Sequence, residues 1–595
     1  MIIMNTDKFE KLYSKPLPSS RSGLFYNTFS YPTKISPEAV AIYIAMHTKP
    51  GDTVLDVFGG SGSTGLAALM CEHPTEKMLS IAEDFEIKPT WGPRNAEIYE
   101  VGRYGSFASN VLCNPPGEIE FRKAAKDYFN RAHKELDWLY SCRDEYGKES
   151  QIRHTVWSDM LVCPNCNQEI TYHDLFVEHD PINIKDTGIC PSCSFDGSKE
   201  EFINKLETIK DPILNQEFQQ KTRVPVLIYG QTNKNKWKRT VTKEDIDLID
   251  VIKKEFVNNN YEPKNIEWGE LFRSGYHTGI THLHHFYTQR NYYVMMKLWD
   301  MTDNYSEKIR DALRLVLLSY NAAHSTLMTR VVVKKNNKDF VLTSAQSGVL
   351  YISSLPVEKN IIIGAERKLK NFIDAFKYIN TCSGKVNVIN QSSEVLSLED
   401  KSIDYLFTDP PFGDFIPYAE VNQINELWLG QTTNKDDEVI ISGSQNKDID
   451  IYQSMMTKIF LEANRVLKDH AKATVVFHSS KAEVWEAMKK VIYTSNFNIK
   501  STSILNKTQA TFKQTVSKDS VQGDPVLLIE KGKGNSNSGS SKKILEMITE
   551  QAKNREKINV RLLYSEYITK CLEEGITIEL SAKEAYNYFN KRIGV

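Results

Sequence analysis

Residues 53–69 read TVLDVFGGSGSTGLAAL, and this segment constrains the fold more than any other part of the chain. An apolar run, a glycine and serine turn and a run of small residues predict a strand, a tight loop and a helix in succession. Glycine lets the backbone pass close to a ligand where the strand gives way to the helix. The segment lacks the lysine of a P-loop. It therefore predicts an α/β domain with a ligand site at the end of this strand.

The side chains of this loop suit a nucleotide-like ligand. Asp56 closes the strand, where it lies near the positive groups of a ligand. Gly60 and Gly62 take the tight positions, and the helix that opens near Thr64 favours a negative group at its N-terminus. A glycine loop alone is a weak signal, because many α/β enzymes have one.

A second acid is predicted at the end of the next strand. Residues 96–100 form that strand, and Glu100 ends it, where an acid commonly binds ribose hydroxyls. Glu83 or Asp84 is the alternative on the usual spacing of about twenty residues. We favour Glu100 because the helix predicted at residues 103–111 then follows the strand directly.

The segment before the loop predicts a helix with a lysine ahead of it. Ser36 and Pro37 are good N-cap and first-turn residues for a helix over residues 39–46. Lys34 precedes them and can neutralise a carboxylate of the ligand. A surface lysine is the alternative, which we would prefer without Asp56.

A second motif, Asp409-Pro410-Pro411-Phe412, follows an apolar run that predicts a buried strand. Asp-Pro and Pro-Pro are common turn formers, so the motif alone favours a turn. Because the ligand-binding loop of residues 53–69 lies far upstream, a second interpretation is favoured, in which the motif binds an exocyclic amine attached to a flat ring. Asp409 and the carbonyl of Pro410 can accept the two N–H hydrogens, the prolines fix the backbone, and Phe412 can stack on the ring.

About 300 residues lie between Glu100 and Asp409, which predicts an interrupted catalytic domain. The expected units are residues 1–117 (first part), 118–360 (insertion), 361–531 (second part), 532–541 (linker) and 542–595 (helical tail). Further strands are predicted at residues 385–390, 403–408, 473–477, 498–505 and 526–530. Helices are predicted at residues 118–140, 452–467, 482–495, 544–560 and 582–592. Alternating strands and helices indicate an α/β sheet.

The insertion carries the strongest local signal, two C-x-x-C units. They are Cys163, Cys166, Cys190 and Cys193, with 23 residues between the pairs. This spacing fits a Cys₄ zinc ribbon at about residues 155–200, with Zn²⁺ in a structural role because four thiolates close the site. A redox pair needs only one such unit. His154 and His173 are not predicted as ligands.

Basic and aromatic residues follow the ribbon. The candidate nucleic-acid contacts are Lys236, Trp237, Lys238, Arg239, Arg290, Arg330, Lys334 and Lys335. Basic side chains contact phosphates and aromatic rings stack on bases, whereas a solvated hairpin and a helix start are the alternative. A metal role for the histidines of GITHLHHFYTQR is discounted, since no carboxylate or cysteine lies at matching helical spacing.

The net charge of −2 gives no sign of a nucleic-acid partner, so DNA binding requires a local basic face. The first residues are too short for a signal peptide and no apolar stretch is long enough to span a bilayer. A cytoplasmic location and no membrane partner are expected.

From about residue 26 to residue 530, the chain resembles the adenine-specific DNA methylases that have a zinc ribbon inside an interrupted Rossmann-like methyltransferase domain. The motifs that carry the resemblance are YPTKISPE, DVFGGSGST, the paired C-x-x-C units, GITHLHHFYTQR, TDPPFGDFIPYAE and VVFHSS. The resemblance implies S-adenosylmethionine as cofactor, double-stranded DNA as substrate and adenine N6 as the methylated atom. Some relatives lie in restriction or phage-defence clusters, which implies possible partner subunits.

The resemblance also implies the site residues. The catalytic set is the Asp409–Phe412 motif. The implied cofactor contacts are Tyr31, Thr33, Lys34, Asp56, Phe58, Gly60, Gly62, Thr64, Glu100 and Ser392. The chain departs from the family after the third strand, where Gln391-Ser392-Ser393 replaces the usual acid; Ser392 can still bind, or Glu394 can substitute. Asn114-Pro115-Pro116-Gly117 is interpreted as a helix stop.

Three alternatives stay open. Cytosine N4 methylation uses the same amine chemistry, although that group more often has Ser in place of the Asp. Guanine N2 methylation of RNA uses related Pro-Pro motifs. A DNA-binding subunit with a silent cofactor site is the non-enzymatic alternative.

Overall fold

The computed structural model describes residues 7–13, 16–19, 22–257, 261–327, 331–334, 337, 339–342, 350–414, 416–507, 524–534, 539–553, 555 and 558–593. The chain divides into two compact units. Unit 1 comprises Met1–Gly117, Asp374–Asn422 and Leu429–Val595, and unit 2 comprises Glu118–Ile373 and Gln423–Trp428. Helices and a mixed sheet build unit 1, which confirms the predicted α/β class.

Unit 1 contains an eight-stranded sheet. Its strands are β1 Leu17–Ser19, β2 Thr53–Asp56, β3 Asn95–Tyr99, β4 Val386–Ile389, β5 Ile403–Thr408, β6 Leu467–Val476, β7 Phe497–Lys507 and β8 Asp524–Lys531. The order across the sheet is β1-β7-β8-β6-β5-β2-β3-β4. All neighbouring pairs are parallel except the two that β8 makes with β6 and β7.

The strand order reverses between β2 and β5. The chain runs outward from β2 through β3 to β4 on one side, and from β5 to β6 on the other. Val54 lies opposite Tyr405 and Leu55 opposite Leu406, so the two strands end at the same edge of the sheet. In open α/β sheets, ligands bind outside the carboxyl ends of the strands at such a reversal.

Helices cover the sheet of unit 1. They are Asp7–Tyr13, Leu24–Thr28, Pro37–His47, Ser63–Met70, Glu76–Asp84, Arg103–Cys113, Ile449–Val466, Ala482–Thr494, Ser541–Lys553, Val560–Glu573 and Ala582–Ile593. Short 3₁₀ helices lie at Lys435–Asp437 and Gly443–Gln445. The helices Ile361–Ile379 and Tyr418–Leu429 run across the division between the units.

The C-terminal helices belong to the core of unit 1. One buried cluster joins residues of β5, β6 and β8 to side chains of the last three helices, among them Leu545, Tyr567 and Phe589. The single helix predicted over residues 544–560 is wrong, because Ser541–Lys553 ends before a separate helix, Val560–Glu573, begins. Residues 535–538 of the predicted linker lie outside the described residues.

Unit 2 is built around a seven-stranded sheet with the long strand Glu149–Val162 at its centre. Its other strands are Ser141–Arg143, Glu169–Thr171, Ile203–Asn204, Arg223–Thr232, Asn235–Thr240 and Val357–Lys359. Two-stranded sheets are formed by Val177–His179 with Ile182–Ile184, Thr187–Ile189 with Asp196–Ser198, Leu206–Lys210 with Glu217–Lys221, and Val331–Val332 with Val341–Leu342. The α-helices are Glu118–Leu136, Tyr172–Phe176, Lys243–Val257, Gln289–Met301, Glu307–Leu318 and Asn321–His324, with 3₁₀ helices at Asp137–Tyr140, Leu283–Phe286 and Thr302–Asn304.

In the described part of the chain, no helix combines the length and the apolar character needed to cross a lipid bilayer.

Candidate active site

A cavity of about 980 Å³, counted with its open mouth, lies at the carboxyl ends of β2, β3, β4 and β5 in unit 1. Of the residues predicted to bind the cofactor, its lining includes Tyr31, Thr33, Lys34, Asp56, Phe58, Gly60, Thr64, Glu100 and Ser392. Asp409 and Pro411 of the second motif line the same cavity. The fold thus brings the predicted residues between Tyr31 and Glu100 together with Ser392, Asp409 and Pro411, which follow about 300 positions later in the sequence.

Asp56 connects the two motifs. It is 4% exposed, and its Oδ2 accepts a hydrogen bond of 2.6 Å from the Thr64 hydroxyl. Its Oδ1 accepts the Phe58 backbone N–H at 3.0 Å and the Thr408 hydroxyl at 2.8 Å. Burial raises the pKa of Asp56 to about 6, although the three hydrogen bonds oppose that shift. Thr408 precedes Asp409 directly, so one buried carboxylate ties the ends of β2 and β5 together.

Glu100 holds the glycine loop in place. Its two carboxylate oxygens accept the backbone N–H groups of Gly60 at 2.6 Å and Gly102 at 2.7 Å. Gly60 and Gly62 have φ of 49° and 81°, values that glycine adopts without strain. A side chain at Gly62 would also collide with Ser109, so Gly62 permits close packing of the loop. Glu100 therefore shapes the loop as well as facing the cavity.

The residues upstream of the loop form a wall of aromatic and hydroxyl groups. The Tyr31 and Tyr418 rings lie nearly parallel, with centroids 6.2 Å apart. Thr33 and Tyr418 share a hydrogen bond of 2.8 Å between their hydroxyls, and Asn422 donates to the Tyr31 hydroxyl at 2.9 Å. The ammonium of Lys34 donates to two backbone carbonyls, those of Phe25 and Phe29, at 3.2 and 3.1 Å. These bonds hold the lysine in the wall.

The cavity is acidic. Among the described residues, five carboxyl side chains line it, those of Asp56, Glu100, Asp409, Asp437 and Glu438, against one ammonium, that of Lys34. Such a lining favours a cationic ligand and disfavours a phosphate.

Sequence reasoning missed Asp437 and Glu438. They follow the second motif in a polar segment without periodicity, and the only local signal is the acidic run of residues 436–438. Glu438 accepts the backbone N–H of Ala419 at 2.9 Å, and Lys447 donates to three carbonyls of residues 435–438. These bonds fix this side of the cavity.

Some residues of the second motif face the cavity, and its last residue packs in the hydrophobic core. Asp409 and Pro411 face the cavity, and the Tyr452 hydroxyl donates to the Pro411 carbonyl at 2.7 Å. Phe412 is 8% exposed and packs edge-on against Phe477, with ring centroids 5.7 Å apart. The prediction that Phe412 stacks on a ligand ring is therefore corrected, because its ring is part of the hydrophobic core.

The departure after the third strand has a structural counterpart. The Ser393 hydroxyl donates to the backbone carbonyl of Val57 at 2.7 Å, which ties the end of β4 to the end of β2. Ser392 lines the cavity as predicted. Glu394 forms an ion pair of 3.0 Å with Lys458, so the substitute role considered for Glu394 has a competing partner.

In unit 2, the four predicted cysteines form one cluster. Their sulfur atoms all lie within 4.8 Å of one another, with Cys163–Cys193 and Cys166–Cys190 at 3.6 Å. A tetrahedral zinc site with Zn–S bonds of about 2.3 Å requires sulfur separations of about 3.8 Å. The residue after each second cysteine, Asn167 or Ser194, has a left-handed φ of about 60°. Two matching turns thus present four thiols in an arrangement that fits Zn²⁺.

The histidine segment meets an aspartate from elsewhere in unit 2. His284 Nε2 and His285 Nε2 lie 2.8 and 3.0 Å from Asp211 Oδ2. The absence of a nearby carboxylate in sequence was therefore an incomplete reason to discount a metal. The hydrogen bonds give a better one. His285 Nδ1 accepts the backbone N–H groups of Thr281 and His282, so its Nε2 carries the proton and donates to Asp211.

Most of the described residues predicted to contact nucleic acid have other partners in unit 2. Arg239 pairs with Asp245 at 2.6 Å and Lys238 with Asp339 at 3.1 Å. Trp237 donates to Thr232 at 2.8 Å and covers Gly230.

Two of the remaining five candidates, Lys236 and Lys334, are exposed. Arg330 and Lys335 lie outside the described residues. The prediction for Arg290 is corrected, because its side chain is 2% exposed and faces Glu358 at 3.7 Å, where no phosphate reaches it.

Comparisons with known proteins agree in part with the sequence resemblance. Residues 5–73 match the family model N6_N4_Mtase, described as DNA methylase. The match includes the predicted cofactor loop and ends long before the second motif. No curated protein matches the chain. Among solved structures, the chain is similar to a SAM-dependent methyltransferase from Methanosarcina mazei, at 11% identity and a TM-score of 0.16, over 27% of this chain and 78% of that one.

Proposed function

We propose that the chain is an S-adenosylmethionine-dependent DNA methyltransferase that methylates N6 of a flipped adenine. One observation carries the proposal: Asp409 and Asp56 face one acidic cavity where the strand order reverses, and the Thr408 hydroxyl binds Asp56 directly. The family match to residues 5–73 supports the DNA methylase class.

The chemistry of the cavity fits the proposed cofactor. S-adenosylmethionine would supply an electrophilic methyl group on a positively charged sulfonium. Carboxylates of the lining, Asp56 and Glu100 among them, favour that charge and the amino group of the methionine moiety. The same carboxylates repel the phosphates of nucleotide cofactors, which argues against a dinucleotide or a nucleoside triphosphate as ligand.

The second motif is proposed to hold the target amine. Within a duplex, the amine is paired and stacked, so the base must leave the helix before it reaches Asp409. Asp409 and the carbonyl of Pro410 accept the two N–H hydrogens, which directs the nitrogen lone pair towards the methyl donor. Tyr452 fixes the following carbonyl, that of Pro411, and so holds the motif in one conformation. Positioning and electrostatics carry most of this catalysis.

Tyr418 is the aromatic residue that we propose for stacking on the base. Its ring lines the cavity with Asp409, whereas Phe412 packs in the core. Cytosine N4 methylation uses the same amine chemistry, and the Asp at the first position of the motif is our reason for preferring adenine. A structural Zn²⁺ in the four-cysteine cluster, partner subunits of a defence system and a cytoplasmic location complete the proposal.

The decisive experiment combines transfer and cofactor binding. The Asp409→Ala variant is expected to lose methyl transfer to DNA by roughly a thousandfold or more, because the amine loses its carboxylate acceptor. Calorimetry should show nearly unchanged binding of S-adenosylmethionine. Asp414→Ala, a nearby exposed acid that pairs with Lys481, is the matched control. Unchanged transfer in Asp409→Ala, measured with labelled cofactor, would overturn the assignment.

The modified base is identified separately. DNA from cells that express the chain should contain N6-methyladenine, detected by mass spectrometry of its nucleosides. N4-methylcytosine in its place would move the proposal to the cytosine alternative. Transfer to tRNA with none to DNA would favour the guanine N2 alternative.

A further inference from the structure

Unit 2 carries a group of cationic and aromatic side chains that differs from the predicted nucleic-acid contacts. We call Lys199, Lys221, Phe272, Arg273 and Tyr276 the aromatic–cation surface. Phe272 and Tyr276 are 45% and 44% exposed, although aromatic rings are usually buried. The Lys221 ammonium lies 5.6 Å from the centroid of the Tyr276 ring, within range of a cation–π contact.

The cations of the aromatic–cation surface lack acidic partners, whereas acidic partners neutralise some of the predicted nucleic-acid contacts. Across the described ranges, no carboxylate lies within ion-pair distance of Lys199, Lys221 or Arg273, whereas Arg239 and Lys238 each have one. Asp159, whose charge favours the protonated form of Lys221, is already paired with Arg223 at 2.7 Å. Burial, with Arg223 and Lys199 nearby, lowers the pKa of Lys221. An anion at this place would relieve the crowding of positive charge.

The loop that carries Phe272, Arg273 and Tyr276 is held in one position. His277 Nδ1 accepts the Arg273 backbone N–H at 3.0 Å, so its Nε2 donates to the Leu350 carbonyl at 2.5 Å. The Trp268 ring stacks on the His277 ring at 4.3 Å. Gly279 packs directly on the backbone of the strand that ends with Lys221. A fixed loop loses little entropy when a ligand binds.

Cations without a carboxylate partner beside exposed rings match one class of partner, although the Arg273 guanidinium also donates to the Glu270 and Phe272 carbonyls at 2.8 and 2.7 Å. Cations bind the phosphates of a nucleic acid, and rings stack on bases that are not paired. An apolar protein interface would require a continuous hydrophobic patch, whereas here the two exposed rings alternate with charges. We propose that the aromatic–cation surface binds DNA, with Lys199, Lys221 and Arg273 on phosphates and Phe272 or Tyr276 on an unstacked base. This inference rests on the proposed DNA substrate.

The test measures DNA binding by the full chain with fluorescence anisotropy. The probes are a labelled duplex and the same duplex with one mismatched pair, each over a range of salt concentrations. The double variant Lys221→Gln/Arg273→Gln should bind the duplex at least tenfold more weakly. The slope of log K against log salt should fall by about 1.8, because two phosphate contacts are lost. Lys123→Gln/Lys126→Gln, two exposed lysines of the helix Glu118–Leu136 in unit 2, is the matched control and should bind as the unsubstituted chain does.

A second double variant tests whether the exposed rings of the aromatic–cation surface stack on a base. Phe272→Ala/Tyr276→Ala should weaken binding of the mismatched duplex more than that of the perfect duplex, with an unchanged salt slope, since stacking carries no charge. Unchanged thermal unfolding and cofactor binding would show that each variant is folded.

The outcomes separate this inference from the proposed function. If the unsubstituted chain binds DNA and Lys221→Gln/Arg273→Gln binds with equal affinity and slope, the surface is not the DNA site and the function stands. An equal loss of DNA affinity in the control double variant also overturns the inference, because removal of any two positive charges would then weaken binding to the same extent. Competition by polyglutamate at the potency of DNA would indicate an acidic protein partner. Failure of the unsubstituted chain to bind DNA overturns both proposals.

Discussion

Asp56 is the side chain that connects the two halves of the candidate site by hydrogen bonds. It is buried, and three hydrogen bonds from Thr64, Phe58 and Thr408 reduce the cost of its charge. The pKa of about 6 lies above the ordinary 3.8, so the folded chain holds this proton more tightly than the unfolded chain. Its ionisation costs on the order of 3 kcal/mol of folding free energy. This contribution favours folding most below about pH 4 and declines as the pH rises through 6.

The first prediction concerns the pH dependence of cofactor binding. The association constant for S-adenosylmethionine should rise about tenfold between pH 5 and pH 7 and then level off, because only the ionised Asp56 attracts the cation. Calorimetric titrations at several pH values measure this. Asp56→Asn should bind weakly and without this rise. A constant affinity in the unsubstituted chain from pH 5 to 7 contradicts the prediction.

The second prediction concerns Thr408. Thr408→Val removes the hydroxyl that donates to Asp56 while keeping the shape of the side chain. Stability to urea should fall by about 1 kcal/mol, and the midpoint of the pH dependence should move upward, since a bond that lowers the pKa is lost. Thr408→Ser keeps a hydroxyl and should resemble the unsubstituted chain. A midpoint that stays in place in Thr408→Val would show that the two half-sites are not coupled through this bond.

At this scale, much of the candidate site could be predicted, and the direction of side chains could not. Asp56 ends β2, and Glu100 and Asp409 directly follow the parallel strands β3 and β5, so their carboxylates meet at one edge of the sheet. The orientation of Phe412 depends on Phe477, which lies 65 positions further on and packs against it only in the folded core. Arg290 is similar, since its partner Glu358 comes from a distant strand.

At the scale of elements, strands and helices with a clear apolar pattern could be predicted, whereas very short strands and contacts between distant segments could not. The strand expected at residues 403–408 has the observed bounds Ile403–Thr408, and the helix expected at 482–495 is Ala482–Thr494. The edge strand Leu17–Ser19 was not expected, because three residues show no periodicity. Asp211 and His285 meet through a hairpin and a loop whose contact leaves no spacing signal in the sequence.

The third prediction concerns the ribbon. The purified chain should contain one zinc per molecule, measured by inductively coupled plasma mass spectrometry. Cys163→Ser should remove it, because a buried thiolate of the four-cysteine cluster is lost. Cys142→Ser, outside the cluster, is the matched control and should keep the metal. A full zinc content in Cys163→Ser contradicts the site. Two zinc ions per chain would contradict the hydrogen-bonded interpretation of Asp211 and its histidines.

At the scale of the whole molecule, the last three helices complete unit 1. The sequence after the glycine and serine segment looks like an appendage because a polar stretch precedes it and its apolar residues repeat at helical spacing. Which partner those residues cover depends on the tertiary fold. Their side chains join the same buried cluster as Trp485 and Phe497, so the helices are part of the core.

The fourth prediction tests this integration. Phe589→Ala should lower the free energy of unfolding by about 3–5 kcal/mol, because a fully buried ring leaves a cavity. Met547→Ala is the matched control, since this apolar side chain on the same group of helices is 39% exposed and should cost little. Urea denaturation of the full chain measures both. Similar stabilities of the two variants would show that the helices are an independent tail.

The interleaved sheet has a consequence for biosynthesis. β2 and β3 leave the ribosome early, but β5, the strand that pairs with β2, follows only after residues 118–373 of unit 2. At translation rates of 5–20 residues per second, β2 waits roughly twenty to seventy seconds for that neighbour. During this interval the apolar strand β2 has backbone N–H and C=O groups without partners along one edge, and such an edge can pair with another chain and start aggregation. We therefore expect the nascent chain to need a chaperone, or early folding of the insertion, before its first hundred residues become native.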